Sequence, residues 1–237
     1  MNGLLKKNRH KLDKELRSAS LRQYFSPLAY FGYRTTVPAI SKYMHGSCLD
    51  IGCGEMPYKD VITPLVQRYD TMDIEKRDNS VKYIGDIQNM DTIESASYDS
   101  AICLEVLEHI KEPLQGMKEM HRILKKGGTA IISVPHLSRL HEEPNDFYRF
   151  TKYGIEHLAE RSGFEIIELH SKGGLFSFLG HQISTIFVCL CWGVPVLKNI
   201  VFFLNKWLCV KLCYLLDSVF DRKKIFAVGY TCVLRKN

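Results

Sequence analysis

The chain has 237 residues, enough for one large domain or a domain with an elaboration, and its 46% hydrophobic and 24% charged residues exclude a disordered or fibrous polypeptide. The net charge of +6 is modest and local: Lys6, Lys7, Arg9, Lys11, Lys14, Arg17 and Arg22 face only Asp13 and Glu15. Such a start can attract phosphates, nucleic acid or an anionic membrane, although a solvated helix face explains it more simply; with no aromatic stacking motif, no nucleic-acid partner is expected.

The eight cysteines include no Cys-x-x-Cys pair, so neither a zinc site nor a redox pair is supported, and most lie in apolar segments. Buried thiols in a reducing compartment are expected, and no apolar signal segment opens the sequence, so a cytoplasmic catalytic domain is anticipated.

Residues 4–22 are compatible with a helix, and Tyr24, Phe25, Tyr30, Phe31 and Tyr33 form an aromatic cluster around Ser26-Pro27. From position 47 short apolar runs alternate with helical stretches. Strands are predicted over Ser47–Ile51, Tyr69–Ile74, Val81–Ile84, Ser100–Leu104, Thr129–Val134, Phe164–Leu169 and Ala227–Leu234. Helices are predicted near Tyr58–Gln67, over Pro113–Leu124 with Leu114, Met117, His121 and Leu124 on one face, and over Thr151–Ser162. Lys125-Lys126-Gly127-Gly128 reads as the stop signal of the second of these. Strands alternating with helices predict a doubly wound α/β sheet. The expected organisation is an N-terminal helical and aromatic cap (1–45), a core (46–172), an apolar helical insertion (173–225) and a final core strand (226–237).

Gly52-x-Gly54 directly follows the first strand, where a chain without Cβ atoms lets its backbone approach a ligand. Asp73 ends the second strand and suits the hydroxyls of a ribose. Asp86 follows the third strand, where it can accept from an adenine amine, and Glu105 follows the fourth at the carboxyl edge. Any one of these acids is ordinarily a solvated loop carboxylate; their strand order makes them a set. Cys48–Gly54, Met72-Asp73-Ile74, Gly85-Asp86-Ile87, Tyr98–Ile110 and His121–Gly128 together resemble class I S-adenosylmethionine-dependent methyltransferases of the type 11-like group, over residues 46–170 and the last strand. The resemblance implies a Rossmann-like, seven-stranded, mostly parallel sheet with helices on both faces, closed by an antiparallel last strand. It also implies S-adenosylmethionine as cofactor, with Asp50, Gly52, Cys53 and Gly54 around its methionine end. Asp73 and Ile74 would then meet the ribose, Asp86 and the Ile87 backbone the adenine, and Glu105 the methionine side of the pocket. The family's usual third glycine is replaced within Glu55-Met56-Pro57-Tyr58. This form resembles a branch with members in surface-polysaccharide and glycolipid pathways, and leaves the geometry around Met56 open.

After the fifth strand, the loop His136–Thr151 is similar to a His-x-x-Pro-x-Asp-Tyr-x-Arg-Phe-Thr segment of that branch. Methyl transfer to a hydroxyl gains from a base, and His136, His141 and Asp146 are the candidates; alternatively Asp146 and Arg149 simply pair and cap the following helix. No metal is expected, because His136 and His141 with Glu142 do not make a strong ligand pattern. His109 reads as structural or pocket-lining.

Gly173–Leu197 contains no Asp, Glu, Lys or Arg and is long enough to span a bilayer, while Ile200–Phe220 carries Lys206, Lys211 and Asp217, each costing about 2.5–3.5 kcal/mol at mid-membrane. A single crossing would strand the last strand on the wrong side. A re-entrant or surface-lying helical pair is expected, with Lys198, Lys206, Lys211, Arg222, Lys223 and Lys224 near anionic headgroups; the alternative is a lid or dimer contact. Three functions follow. The first is methylation of a membrane-proximal or lipid-linked acceptor such as a glycan, by a peripheral or monotopic protein. The others are methylation of a soluble metabolite and a non-catalytic cofactor-binding scaffold.

Overall fold

The computed structural model describes residues 3, 7, 8, 11, 12, 15, 16, 18–76 and 80–237; Lys6, Arg9, Asp13, Lys14 and Arg17 of the basic start lie outside the described residues, and of the helix expected over 4–22, residues 7, 8, 11, 12 and 15 and the short segment Ala19–Arg22 are helical. The chain divides into two compact units, residues 35–170 with 229–237, and residues 1–34 with 171–228. The first boundary falls within helix α1 (Pro27–Tyr43).

The larger unit is built on seven strands: β1 (Ser47–Ile51), β2 (Arg68–Asp73), β3 (Tyr83–Ile84), β4 (Tyr98–Leu104), β5 (Leu124–Pro135), β6 (Phe164–Lys172) and β7 (Gly229–Lys236). They lie in the order β3-β2-β1-β4-β5-β7-β6. β1 runs parallel to β2 and β4, and β4 parallel to β5, whereas β7 inserts antiparallel against β5 with Ile131 opposite Val233. This is the expected Rossmann-like topology. The sequence order runs outward in both directions from β1, so the crevice of the sheet opens at the carboxyl ends of β1 and β4. Ile51 pairs with Met72 on one side and Cys103 on the other, which sets the turns after β1, β2 and β4 along one edge. Ala39 and Ile40 of α1, with Met44 just beyond it, pack with Cys48, Ile62, Ile102, Ile131 and Val233 into one core.

The departures from expectation have local causes. The helix predicted near Tyr58–Gln67 is one α-turn, α2 (Lys59–Ile62), followed by a 3₁₀ turn at Thr63–Leu65. Pro64 supplies no N–H to continue the helical ladder. Helix α3 (Pro113–Ile123) ends before Lys125, because Leu124 already has extended backbone. Lys125–Gly128 therefore open β5 in place of closing the helix, through a left-handed Gly127 and a register shift opposite β4. Helix α4 (Lys152–Ser162) has both caps its sequence dictates: Thr151 Oγ1 accepts from Gly154 N–H, and left-handed Gly163 terminates it.

The smaller unit holds the insertion, α5 (Leu175–Cys191), α6 (Pro195–Leu204), a π-helical turn (Asn205–Lys211) and α7 (Leu212–Phe220). The apolar run Gly173–Leu197 is thus not one helix: it breaks after Cys191, ahead of Gly193 and Pro195. Pro195–Phe220, 26 residues, is the stretch long and apolar enough to cross a membrane by length and composition. Its neighbours are Leu12, Leu16, Phe25, Val188, Cys189 and Trp192, packed with Val201 and Phe202. Asp217 is completely buried and accepts from Phe176 N–H (2.8 Å) and Ser177 N–H (3.1 Å), while Asp221 accepts from Leu175 N–H (3.0 Å). The two carboxylates cap the amino end of α5, where the helix dipole favours negative charge.

Candidate active site

The turn after β1 is stitched to β2: Gly52 N–H and Cys53 N–H both donate to the Met72 carbonyl, at 2.8 and 3.0 Å. Gly52 and Gly54 have φ of +66° and +52°. A Cβ on Gly52 would lie 2.4 Å from Val106 Cγ2, whereas a Cβ on Gly54 would meet nothing within 4 Å. Gly52 is therefore required for close packing against the turn after β4, and Gly54 leaves the backbone open to approach. Met56, where the third glycine is displaced, sits in the left-handed region with φ +50°, and its N–H donates to Cys53 O at 2.7 Å. A tight turn thus survives without that glycine.

The expected cofactor residues line this edge. Asp50, buried at the end of β1, accepts from the Tyr69 hydroxyl; burial lifts its carboxyl to about 6, against the lowering effect of that hydrogen bond. Asp73 Oδ2 accepts from Gly54 N–H (2.9 Å) and Oδ1 from Glu75 N–H (3.2 Å), so the acid at the end of β2 also shapes the glycine turn. Ile74 beside it is exposed. Asp86 accepts from Gln88 N–H (2.9 Å) and Gln88 Nε2 (2.8 Å) across an Asx-type turn, and Ile87 is buried. Glu105 has a φ of +55°, uncommon for a residue with a Cβ, with its N–H on Ser133 O (2.8 Å) and its carboxylate accepting from Ser133 Oγ. Strain of this kind concentrates at functional sites. A glycine turn that tolerates close approach and three acids at the ends of β1, β2 and β4 fit a nucleoside with an amino-acid tail. The residues present suit S-adenosylmethionine.

The loop after β5 folds back on the turn after β4. Phe147 N–H donates to Glu108 O (2.8 Å), Tyr148 Oη to Lys111 O (2.7 Å), and Phe150 N–H to Pro135 O (3.0 Å). This brings His141 to Glu108 and His109. The His141 and His109 rings meet edge to face with centroids 4.7 Å apart, and each Nε2 lies 3.7 Å from Glu108 Oε1. Burial pushes the Glu108 carboxyl up and His141 pulls it back, while Glu108 and Asp146 raise the His141 imidazole. Asp146 is held by Arg149 in a two-pronged pair at 2.6 and 2.7 Å and accepts from His141 N–H (2.8 Å). Arg149 holds its carboxyl far below the usual carboxylate range, so Asp146 is an anchor of the loop and not a group ready to take a proton. The helix beyond is capped by Thr151, not by Asp146. His136 packs against Tyr230 and desolvation lowers its imidazole. Glu108 is the residue the sequence reading passed over; its signal was the Glu-x-x-Glu-His spacing directly after β4.

A methyltransferase domain model matches residues 7–169, more than half of the chain. The chain belongs to this methyltransferase family. Solved structures share its fold at low identity. An S-adenosylmethionine-dependent methyltransferase from Mesorhizobium loti is 12% identical over 87% of this chain and 98% of that one, with a TM-score of 0.55. A phosphoethanolamine N-methyltransferase 2 from Haemonchus contortus, in complex with phosphomonomethylethanolamine and S-adenosylhomocysteine, is 16% identical over 86% and 52%, at 0.52. The [4+2]-cyclase SpnF is 16% identical over 86% and 80%, at 0.57. No curated protein matches the chain. The methyltransferase uses S-adenosylmethionine as its methyl donor, in keeping with the family and with the edge described above.

Proposed function

We propose that the methyltransferase methylates a hydroxyl of an acceptor held at a membrane surface, such as a lipid-linked glycan. The cofactor supplies an activated methyl group at a sulfonium carbon. Asp50, the Gly52–Gly54 turn and Glu105 would hold its methionine end, Asp73 and Ile74 its ribose, and Asp86 with Ile87 its adenine. The acceptor oxygen must lose a proton as it gains the methyl group. Glu108, His109 and His141, at the same edge of the sheet, are the groups placed to drive that loss. Asp146 and Arg149 fix the loop that carries His141.

The observation that carries the membrane reading is the distribution of charge on the insertion. From Leu175 to Phe220 every exposed position is apolar except Gly193, Asn199 and Ser218, and none is charged. Leu179, Ile183, Phe187, Ile200, Phe203, Trp207, Leu208 and Leu215 are all more than half exposed or close to it. The charges that seemed to oppose insertion turn inward. Asp217 caps α5, Lys206 lies 4.2 Å from the Tyr24 ring and Lys211 5.2 Å from the Tyr30 ring, and Lys198 pairs with Glu15 at 2.6 Å. Arg222 and Lys223, just beyond α7, remain exposed for anionic headgroups. An apolar surface of this extent on a protein calls for a partner, and a bilayer matches one without charge. The protein then lies in the cytoplasmic membrane face as a monotopic enzyme.

The test compares lipid-extracted glycans and aqueous metabolites from cells with and without the chain, after feeding labelled methionine. Label in a lipid-extractable glycan supports the reading. Label confined to a soluble metabolite replaces it with the soluble-acceptor function. Binding of S-adenosylhomocysteine by the purified chain with no labelled product in either fraction points to the scaffold function.

A further inference from the structure

Glu108 is completely buried, and neither carboxylate oxygen has a hydrogen-bond partner among the described residues. Leaving such a group unmatched costs about 1–3 kcal/mol or more. What it faces are two imidazoles whose other nitrogens are already engaged. His109 Nδ1 lies 2.6 Å from the Asn145 carbonyl, which only accepts, so that nitrogen carries the proton and Nε2 presents a lone pair. His141 Nδ1 faces two acceptors, the Arg139 carbonyl at 3.4 Å and Asp146 Oδ2 at 3.5 Å, and one donor, Arg149 Nη2 at 3.5 Å. With its proton on Nδ1, between the two acceptors, His141 turns the Nε2 lone pair toward Glu108. Three potential ligand atoms, one oxygen and two nitrogens, converge within 4.8 Å of one another.

We propose that Glu108, His109 and His141 bind one divalent transition-metal cation, of the Mn²⁺ or Zn²⁺ kind, whose open positions take oxygen atoms of the acceptor. One carboxylate and two imidazoles make a donor set of mixed hardness that suits these ions and leaves sites free. Ligands about 2.1 Å from a tetrahedral ion sit about 3.4 Å apart, so the two 3.7 Å separations from Glu108 must contract by a few tenths of an ångström, and the two imidazole nitrogens, within 4.8 Å of each other, by up to about 1.4 Å. The outer partners that a metal-binding histidine requires are present: Asn145 orients His109, and Asp146, clamped by Arg149, borders His141. The sequence spacing of His136 and His141 gave no reason to expect a metal; folding joins His141 instead to a Glu-His pair on the preceding strand's turn. The cation's task, lowering the pKa of a bound hydroxyl, rests on the hydroxyl-acceptor reading above; its binding does not.

The whole chain, stripped with chelator, is titrated with Mn²⁺ in equilibrium dialysis and with Co²⁺ followed by visible absorption. S-adenosylhomocysteine binding is measured calorimetrically on the same preparations. One Mn²⁺ per chain and a Co²⁺ ligand-field band are expected. Glu108→Gln and His141→Ala should each weaken Mn²⁺ binding about 10- to 100-fold or more, and His157→Ala, on the exposed side of α4, should not. His109→Gln gives the same reading if Glu108→Gln fails to fold. Absence of stoichiometric binding, or equal affinity in the Glu108 and His141 variants, overturns the cation site and leaves a proton shared between Glu108 and His141. Loss of S-adenosylhomocysteine binding with Mn²⁺ binding intact would count instead against the donor reading.

Discussion

Gly52→Ala separates the two reasons for a glycine at that turn. The first is conformational: a φ of +66° costs a residue with a Cβ about 1–2 kcal/mol. The second is steric: the new methyl would lie 2.4 Å from Val106 Cγ2 and 3.2 Å from Cγ1, and overpacking of that kind costs about 1–3 kcal/mol. The single variant should therefore lose about 2–5 kcal/mol, shared between stability and the binding of S-adenosylhomocysteine, because the displaced turn is the one proposed to meet the cofactor. Val106→Ala removes both offending methyl groups and should be mild alone. In the double variant most of the steric part disappears, only the Cβ of residue 106 remaining close at 3.3 Å, and about 1–2 kcal/mol or slightly more remains, which gives the pair a coupling energy of about 1–3 kcal/mol. Urea unfolding followed by far-UV circular dichroism and calorimetric titration with S-adenosylhomocysteine measure the two parts. Additive losses, with no relief from Val106→Ala, would refute the contact on which the reasoning stands.

Three further outcomes are expected. Asp50 has a native carboxyl near 6, above its ordinary value of 3.8, so its contribution to stability is complete at low pH and is lost as pH rises through that window; Asp50→Asn should gain on the parent by about 2 kcal/mol between pH 4 and pH 7 in urea unfolding, and a constant difference across the range would refute the buried charge. Trp207 is half exposed on the apolar face and Trp192 is buried, so with anionic vesicles carrying acyl-chain-brominated lipid, Trp192→Phe should retain strong quenching and Trp207→Phe should lose it. Trp207 fluorescence still open to iodide beside such vesicles would contradict membrane contact. Asp217→Ala should speed hydrogen exchange at Phe176 and Ser177 by about tenfold or more, a loss of about 1–3 kcal/mol, and Asp217→Asn should lose less because its amide oxygen still accepts.

Local chemistry alone made much of the core legible. β1 and β4 carry short buried apolar stretches, β2 is polar in composition though buried over its last four residues, and Asp50, Gly52, Gly54, Asp73 and Glu105 fall at their ends because strand length sets where the chain leaves a sheet. The misplaced boundaries lay where local signals competed. Lys125–Gly128 has the composition of a helix stop, yet Leu124 and Thr129 on either side of it pair with β4, so the segment becomes an irregularity within β5.

What the sequence by itself determined was the order of strands and the glycine and acidic residues at their carboxyl ends. The strands follow from short-range patterning, and the methyl donor from the resemblance that those glycine and acidic residues carry. The tertiary structure decided which distant side chains meet. It set His141 beside Glu108, tied Asp146 to Arg149, and turned Lys206, Lys211 and Asp217 inward so that the insertion shows an uncharged face. The direction of a side chain depends on which face of its helix or loop is covered, and no local pattern in the chain encodes that covering.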